Sequence, residues 1–205
     1  MFFSHLNSKN HLGTLACAAA ILVLLQTWVE QVSAHLELYH NVEVNFTETA
    51  ENGKVRLYFT IHAPELLVGY EKAGAEIFDA QWLRSRSDAQ FKTLFERGRK
   101  FVAEKFTFKV DDGEAMDLSS KLRFTEPDII RKKSFVSGVP VGCILVSAEF
   151  KLKKGAEHVE VTLSENAGKR LLLVCNRKGA FPEVHDMDTG ARVKLKIPVQ
   201  QGGKK

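Results

Sequence analysis

Two stretches near the start of the chain alternate with a period of two. Such a chain is committed to a sheet with one buried and one wetter face. In the first, Leu36, Leu38, Val42, Val44 and Phe46 share one face, and Glu37, Tyr39, Asn41, Glu43 and Asn45 the other. In the second, Val55, Leu57, Phe59 and Ile61 alternate with Arg56, Tyr58, Thr60 and His62, and Pro64 ends the run. Between them, Glu51-Asn52-Gly53-Lys54 predicts a hairpin turn, because Asn-Gly tolerates the positive φ that tight turns need.

The period then changes. From Gly74 to Lys105, Ile77, Phe78, Trp82, Phe91, Leu94, Phe95, Phe101 and Val102 recur at helical spacings, with a weak point at Ser85 to Asp88 where one helix could become two. This aromatic face is expected to pack on the side of the sheet carrying Val55, Leu57, Phe59 and Ile61, with Trp82 largely buried. Strands resume at 105–110, 121–125, 141–152, 158–163, 170–175 and 191–199, with turns at Asp111-Asp112-Gly113 and Lys153-Lys154-Gly155. The expected class is α+β, with antiparallel β-sheets and a helical insertion after the first hairpin.

Residues 1–34 stand apart. Lys9 gives a weakly positive start, Leu15 to Leu25 is apolar, and Val32-Ser33-Ala34 supplies the small residues of a signal-peptidase site. Cleavage there would leave one α+β domain over 35–199 and a polar tail over 200–205. The alternative is an uncleaved membrane anchor, since Leu12 to Val29 nearly reaches spanning length. The expected location is periplasmic or secreted. The formal net charge is +4, with Lys and Arg scattered, so no basic stripe points to nucleic acid. Cys17 leaves with the signal. Cys143 and Cys175 remain, and in an exported chain they are expected to form a disulfide, with a thiolate metal pair as the alternative.

No Gly-x-Ser-x-Gly, Gly-rich phosphate loop or His-Glu-x-x-His occurs, so no enzyme is expected. Histidine carries the chemistry instead. After cleavage His35 offers both an amine and an imidazole to one ion, an arrangement that suits Zn(II) or Cu(II). His40 follows five residues on, in register with the apolar face. His185-Asp186-Met187-Asp188, read as a loop, puts one imidazole beside two carboxylates. The candidate metal ligands are therefore His35, His40, His185 and Asp186. His62 and His158 fall on polar strand faces and are expected to be solvated.

Several motifs resemble the periplasmic zinc-uptake accessory proteins of Gram-negative bacteria. They are Ala34-His35 through His40, the Asn52-Gly53 turn, the run Ala63-Pro64-Glu65-Leu66-Leu67-Val68-Gly69-Tyr70-Glu71, the segment Gly142-Cys143-Ile144-Leu145-Val146-Ser147-Ala148-Glu149, Val174-Cys175-Asn176 and Phe181-Pro182. The resemblance implies a zinc-binding protein serving metal uptake or buffering, a metal transporter component as partner, and membrane association only through that partner or an uncleaved signal. The chain departs from that pattern in lacking a His- and Asp-rich stretch. The readings left in play are a zinc protein, a copper protein using the terminal His, and a β-rich interaction module without metal.

Overall fold

The computed structural model describes residues 41–68, 80–132, 142–168 and 170–199. The chain divides into two compact units, Met1–Glu37 and Leu38–Lys205, and the described residues belong to the second. The expected signal segment, His35, His40, Ile77, Phe78 and the tail lie outside the described residues.

The elements in order are β1 (Asn41–Asn45), α1 (Thr49–Asn52), β2 (Lys54–His62), α2 (Ala63–Val68), α3 (Ala80–Arg84), α4 (Asp88–Lys105), β3 (Phe106–Val110), β4 (Arg123–Phe124), α5 (Pro127–Lys132), β5 (Cys143–Lys151), β6 (His158–Leu163), β7 (Leu171–Asn176), β8 (Glu183–Met187) and β9 (Arg192–Lys196). They form a six-stranded sheet in the order β4-β5-β2-β1-β7-β8 and a three-stranded sheet in the order β3-β6-β9. The α+β class holds. Among the described residues no helix is long and apolar enough to cross a membrane.

The period of two decides what the larger sheet buries. Val55, Leu57, Phe59 and Ile61 of β2 register with Phe150, Ala148, Val146 and Ile144 of β5, and all eight are buried. Val42 and Val44 of β1 extend that face, as do Leu173 and Cys175 of β7. Phe106, Phe108, Val159, Val161 and Leu195 of the smaller sheet belong to the same core. Phe59 meets Phe106 and Phe108 at ring-centroid distances of 5.4 and 5.9 Å. Burying each such side chain contributes roughly 1.5–3 kcal/mol, so this core is the main source of stability.

One pairing corrects the antiparallel expectation: β1 runs parallel to β7. A strand reached by a short turn must reverse, as β2 does beside β1, whereas one reached by a long connection is free to run either way. The β1–β2 connection also differs in detail. A single helical turn, α1, precedes Gly53, which takes φ 71° to reverse the chain.

The helical segment breaks where the sequence is weak. Ser87 caps α4 in a capping box, its hydroxyl accepting from the Gln90 backbone N–H while the Gln90 side chain accepts from the Ser87 backbone. Phe91, Leu94, Gly98 and Val102 form the buried stripe of α4. Phe95 stacks on Phe124 of β4 at 4.7 Å, and Gly98 is required there, because a Cβ would come within 2.8 Å of the Phe124 ring. Among the described residues β3 brings two rings to Phe59, while α4 reaches the β4 edge through Phe95 and Gly98 and adds Phe91, Leu94 and Val102 to the same core. Trp82 is only half-buried, with the Arg86 guanidinium 4.6 Å from its ring.

Candidate functional site

The other face of the larger sheet is polar, and its rows follow from register. One row crosses the sheet as Arg123, Ser147, Tyr58, Glu43, Val174 and Val184. The next contains Glu149, Arg56, Asn45 and Asn176. Directly paired residues bring their Cβ atoms to about 4.5–5.5 Å, so neighbours in a row are within reach of one another. Arg56, Tyr58, Arg123, Ser147, Ala148 and Glu149 line a groove of about 340 Å³ on this face.

Charge in the groove is ordered. Arg56 Nη1 lies 2.6 Å from Glu48, and its Nε donates to Glu149 at 3.1 Å. Lys54 Nζ reaches the other Glu149 oxygen at 2.9 Å. Hydrogen bonds from Lys54 and then Arg56 hold the Glu149 carboxyl below its usual range, and Glu149 and Glu48 in turn raise Arg56. Among the described residues Arg123 is exposed and makes no ion pair, and the Tyr58 and Ser147 hydroxyls make no hydrogen bond.

At the opposite end of this face the expectation for His62 fails. His62 is 3% exposed, and its Nδ1 lies 3.2 Å from Glu65 Oε1. Its cross-strand neighbour is Cys143, also buried. A polar-face position is therefore not the same as a solvated one. His158 is half-buried, with Nδ1 3.2 Å from Asp111. That carboxylate accepts the backbone N–H groups of His158 and Glu157, at 3.0 Å each, and they hold it below its usual range.

The His185-Asp186 loop is a strand, β8, and this separates its metal candidates. His185 registers with Leu173 and lies toward the buried face; Asp186 registers with Leu172 and faces the other way. His185 Nε2 is buried 2.8 Å from Glu183 Oε1 and makes no hydrogen bond to another described residue. Glu183 is engaged more firmly by Arg177 at 2.5 Å, and Asp186 pairs with Arg170 at 3.3 Å. Among the described residues no three His, Cys, Asp or Glu side chains gather as a metal group.

The expected disulfide is not formed, because Cys143 on β5 and Cys175 on β7 stand as separate thiols with β2 and β1 between them. Three strand spacings amount to about 14 Å, and five residues of register offset add about 16 Å along the strands. A bridge needs Cα atoms about 4.4–6.8 Å apart. Burial pushes the Cys175 thiol up to about 11, so it is neither a nucleophile nor a ready ligand near neutral pH.

No protein-family model, no curated protein and no solved structure matches the chain. The likeness to zinc-uptake accessory proteins rests on the quoted motifs.

Proposed function

We propose that the mature chain is an exported binding module, without catalytic activity, that recognises its ligand or partner through the outer face of the six-stranded sheet. The observation that carries this reading is the groove between β4, β5 and β2, where two guanidinium groups, a phenol and a hydroxyl converge. These groups bind and orient. A nucleophile activated by a neighbouring base is a different arrangement. The apolar run before Val32-Ser33-Ala34 supports export. The zinc and copper readings depend on His35 and His40, now that His185 and Asp186 face opposite ways.

Native mass spectrometry of the chain from His35 onward, titrated with zinc and with copper, tests the proposal. A binding module shows no stoichiometric metal at micromolar concentrations. One zinc per chain, lost in His35→Ala or His40→Ala, would overturn it in favour of a metal-uptake protein. Copper binding that disappears when the N-terminus is extended would do so in favour of a terminal-amine copper site.

A further inference from the structure

We infer that the groove between β4, β5 and β2 binds a single carboxylate or phosphate group carried by a small organic molecule; this rests on the binding-module reading. The groove holds donors beyond what its acceptors use. Glu149 is occupied by Lys54 and Arg56, and Glu48 by Arg56. Of the two arginines that line the groove, Arg56 is engaged by Glu48 and Glu149, whereas Arg123 makes no ion pair among the described residues. Arg56 is already positioned through Nη1 and Nε, and its Nη2 makes no hydrogen bond to another described residue. A guanidinium fixed in this way gives up little side-chain freedom on binding and presents its fork to a planar or tetrahedral oxyanion.

Ser147 and Tyr58 stand side by side between the two arginines, Ser147 in direct register with Arg123 and Tyr58 two residues from Arg56 on the same face. Their hydroxyls add two donors, and the Tyr58 ring gives the groove an apolar wall for the carbon frame of a ligand. The volume of about 340 Å³ is at the lower end of the roughly 300–1,000 Å³ of small-molecule sites.

The surroundings limit the anion to a short one. Beyond Tyr58 in the same row comes Glu43 of β1, and beyond Arg56 lies Glu48. A polyanion running across the sheet would meet Glu43 or Glu48 as well as Glu149, whereas a single oxyanion between Arg123 and Arg56 would meet only Glu149, which Lys54 and Arg56 already neutralise. The site thus selects against nucleic acid and extended acidic polymers by repulsion as well as for a small acid by attraction.

The test is a heteronuclear NMR titration of the mature chain at low salt with propionate, with inorganic phosphate and with neutral propionamide. Saturable shifts confined to β2, β4 and β5 are expected with at least one of the two anions, and none with propionamide. The anion that binds identifies the headgroup. Arg123→Gln, an exposed position whose unliganded spectrum should match the parent, is expected to weaken binding about tenfold, as loss of one charge-assisted contact does. Tyr58→Phe should weaken it several-fold, and Lys194→Gln on the smaller sheet should leave it unchanged. The inference is overturned if neither anion shifts the groove, or if Arg123→Gln binds either anion as well as the parent. That failure without zinc or copper binding would leave the binding module standing with another ligand. Stoichiometric metal would instead remove the module reading itself.

Discussion

The two ends of the larger sheet's outer face carry the same alternation but opposite environments. At one end Lys54, Arg56 and Glu149 are exposed or half-exposed, paired in water and open to a ligand. At the other, Thr60, His62 and Cys143 are buried on that same face, and His62 relies on Glu65. Period two assigns a side chain to a face; it does not say whether that face is covered. The open end can trade partners at little cost, while the closed end must satisfy every polar atom it buries.

The largest effect that would break this contrast concerns sulfur. With its thiol near 11, Cys175 has roughly a thousandth of its population as thiolate at pH 8, and it is fully buried besides. Iodoacetamide should leave Cys175 unmodified in native protein. Both Cys143 and Cys175 should label in guanidinium without prior reduction. Two alkylation-resistant sulfurs after denaturation would mean a disulfide, and the strand order would be wrong.

Next comes the buried face that the two ends share. Phe59→Ala should cost about 3–5 kcal/mol in chemical denaturation, because Phe59 is 1% exposed between Phe106 and Phe108. His62→Leu is smaller, about 1–3 kcal/mol, since it takes from the Glu65 carboxylate one of its partners. A loss below half a kcal/mol would show that the closed end is wetter than described.

The smallest effect belongs to the open end. Glu149→Gln should leave the melting temperature at pH 7 nearly unchanged, as exposed ion pairs contribute little. Its pH dependence has a definite sign. Lys54 and Arg56 depress the Glu149 carboxyl in the folded state, so their contribution is present above the usual carboxylate range and is lost as pH falls through the depressed value. The parent and Glu149→Gln should therefore converge in thermal stability as the pH falls below the usual carboxylate range. Divergence on acidification would reverse the assignment of charge in the groove.

Much of the fold was legible because it rests on local pattern. The alternation of β2, the break before Ser87 and the glycine turns at Gly53 and Gly155 each follow from a few neighbouring residues. β8 was missed because its inward positions begin with the polar residues Glu183 and His185, which contact Arg177 and each other, so the strand lacks an apolar alternation. The groove was not legible from spacing. Arg56 and Arg123 come together only through β5, whose register with β2 and β4 places Ser147 between them. The cysteines misled for a related reason. Pairing two thiols by compartment ignores strand order, and strand order put two strands between them.

The parallel union of β1 with β7 also sets the timetable of folding. β1 opens the described sequence yet lies inside its sheet, and one of its two neighbours is Leu171–Asn176. A chain emerging N-terminus first can close β1 on β2 early, but that hairpin keeps a bare edge until more than a hundred further residues have appeared. Closure over such a separation is slow, because the loop entropy is lost before the pairing is gained. A chain made N-terminus first therefore cannot complete its larger sheet until Leu171–Asn176 are available, late in its length.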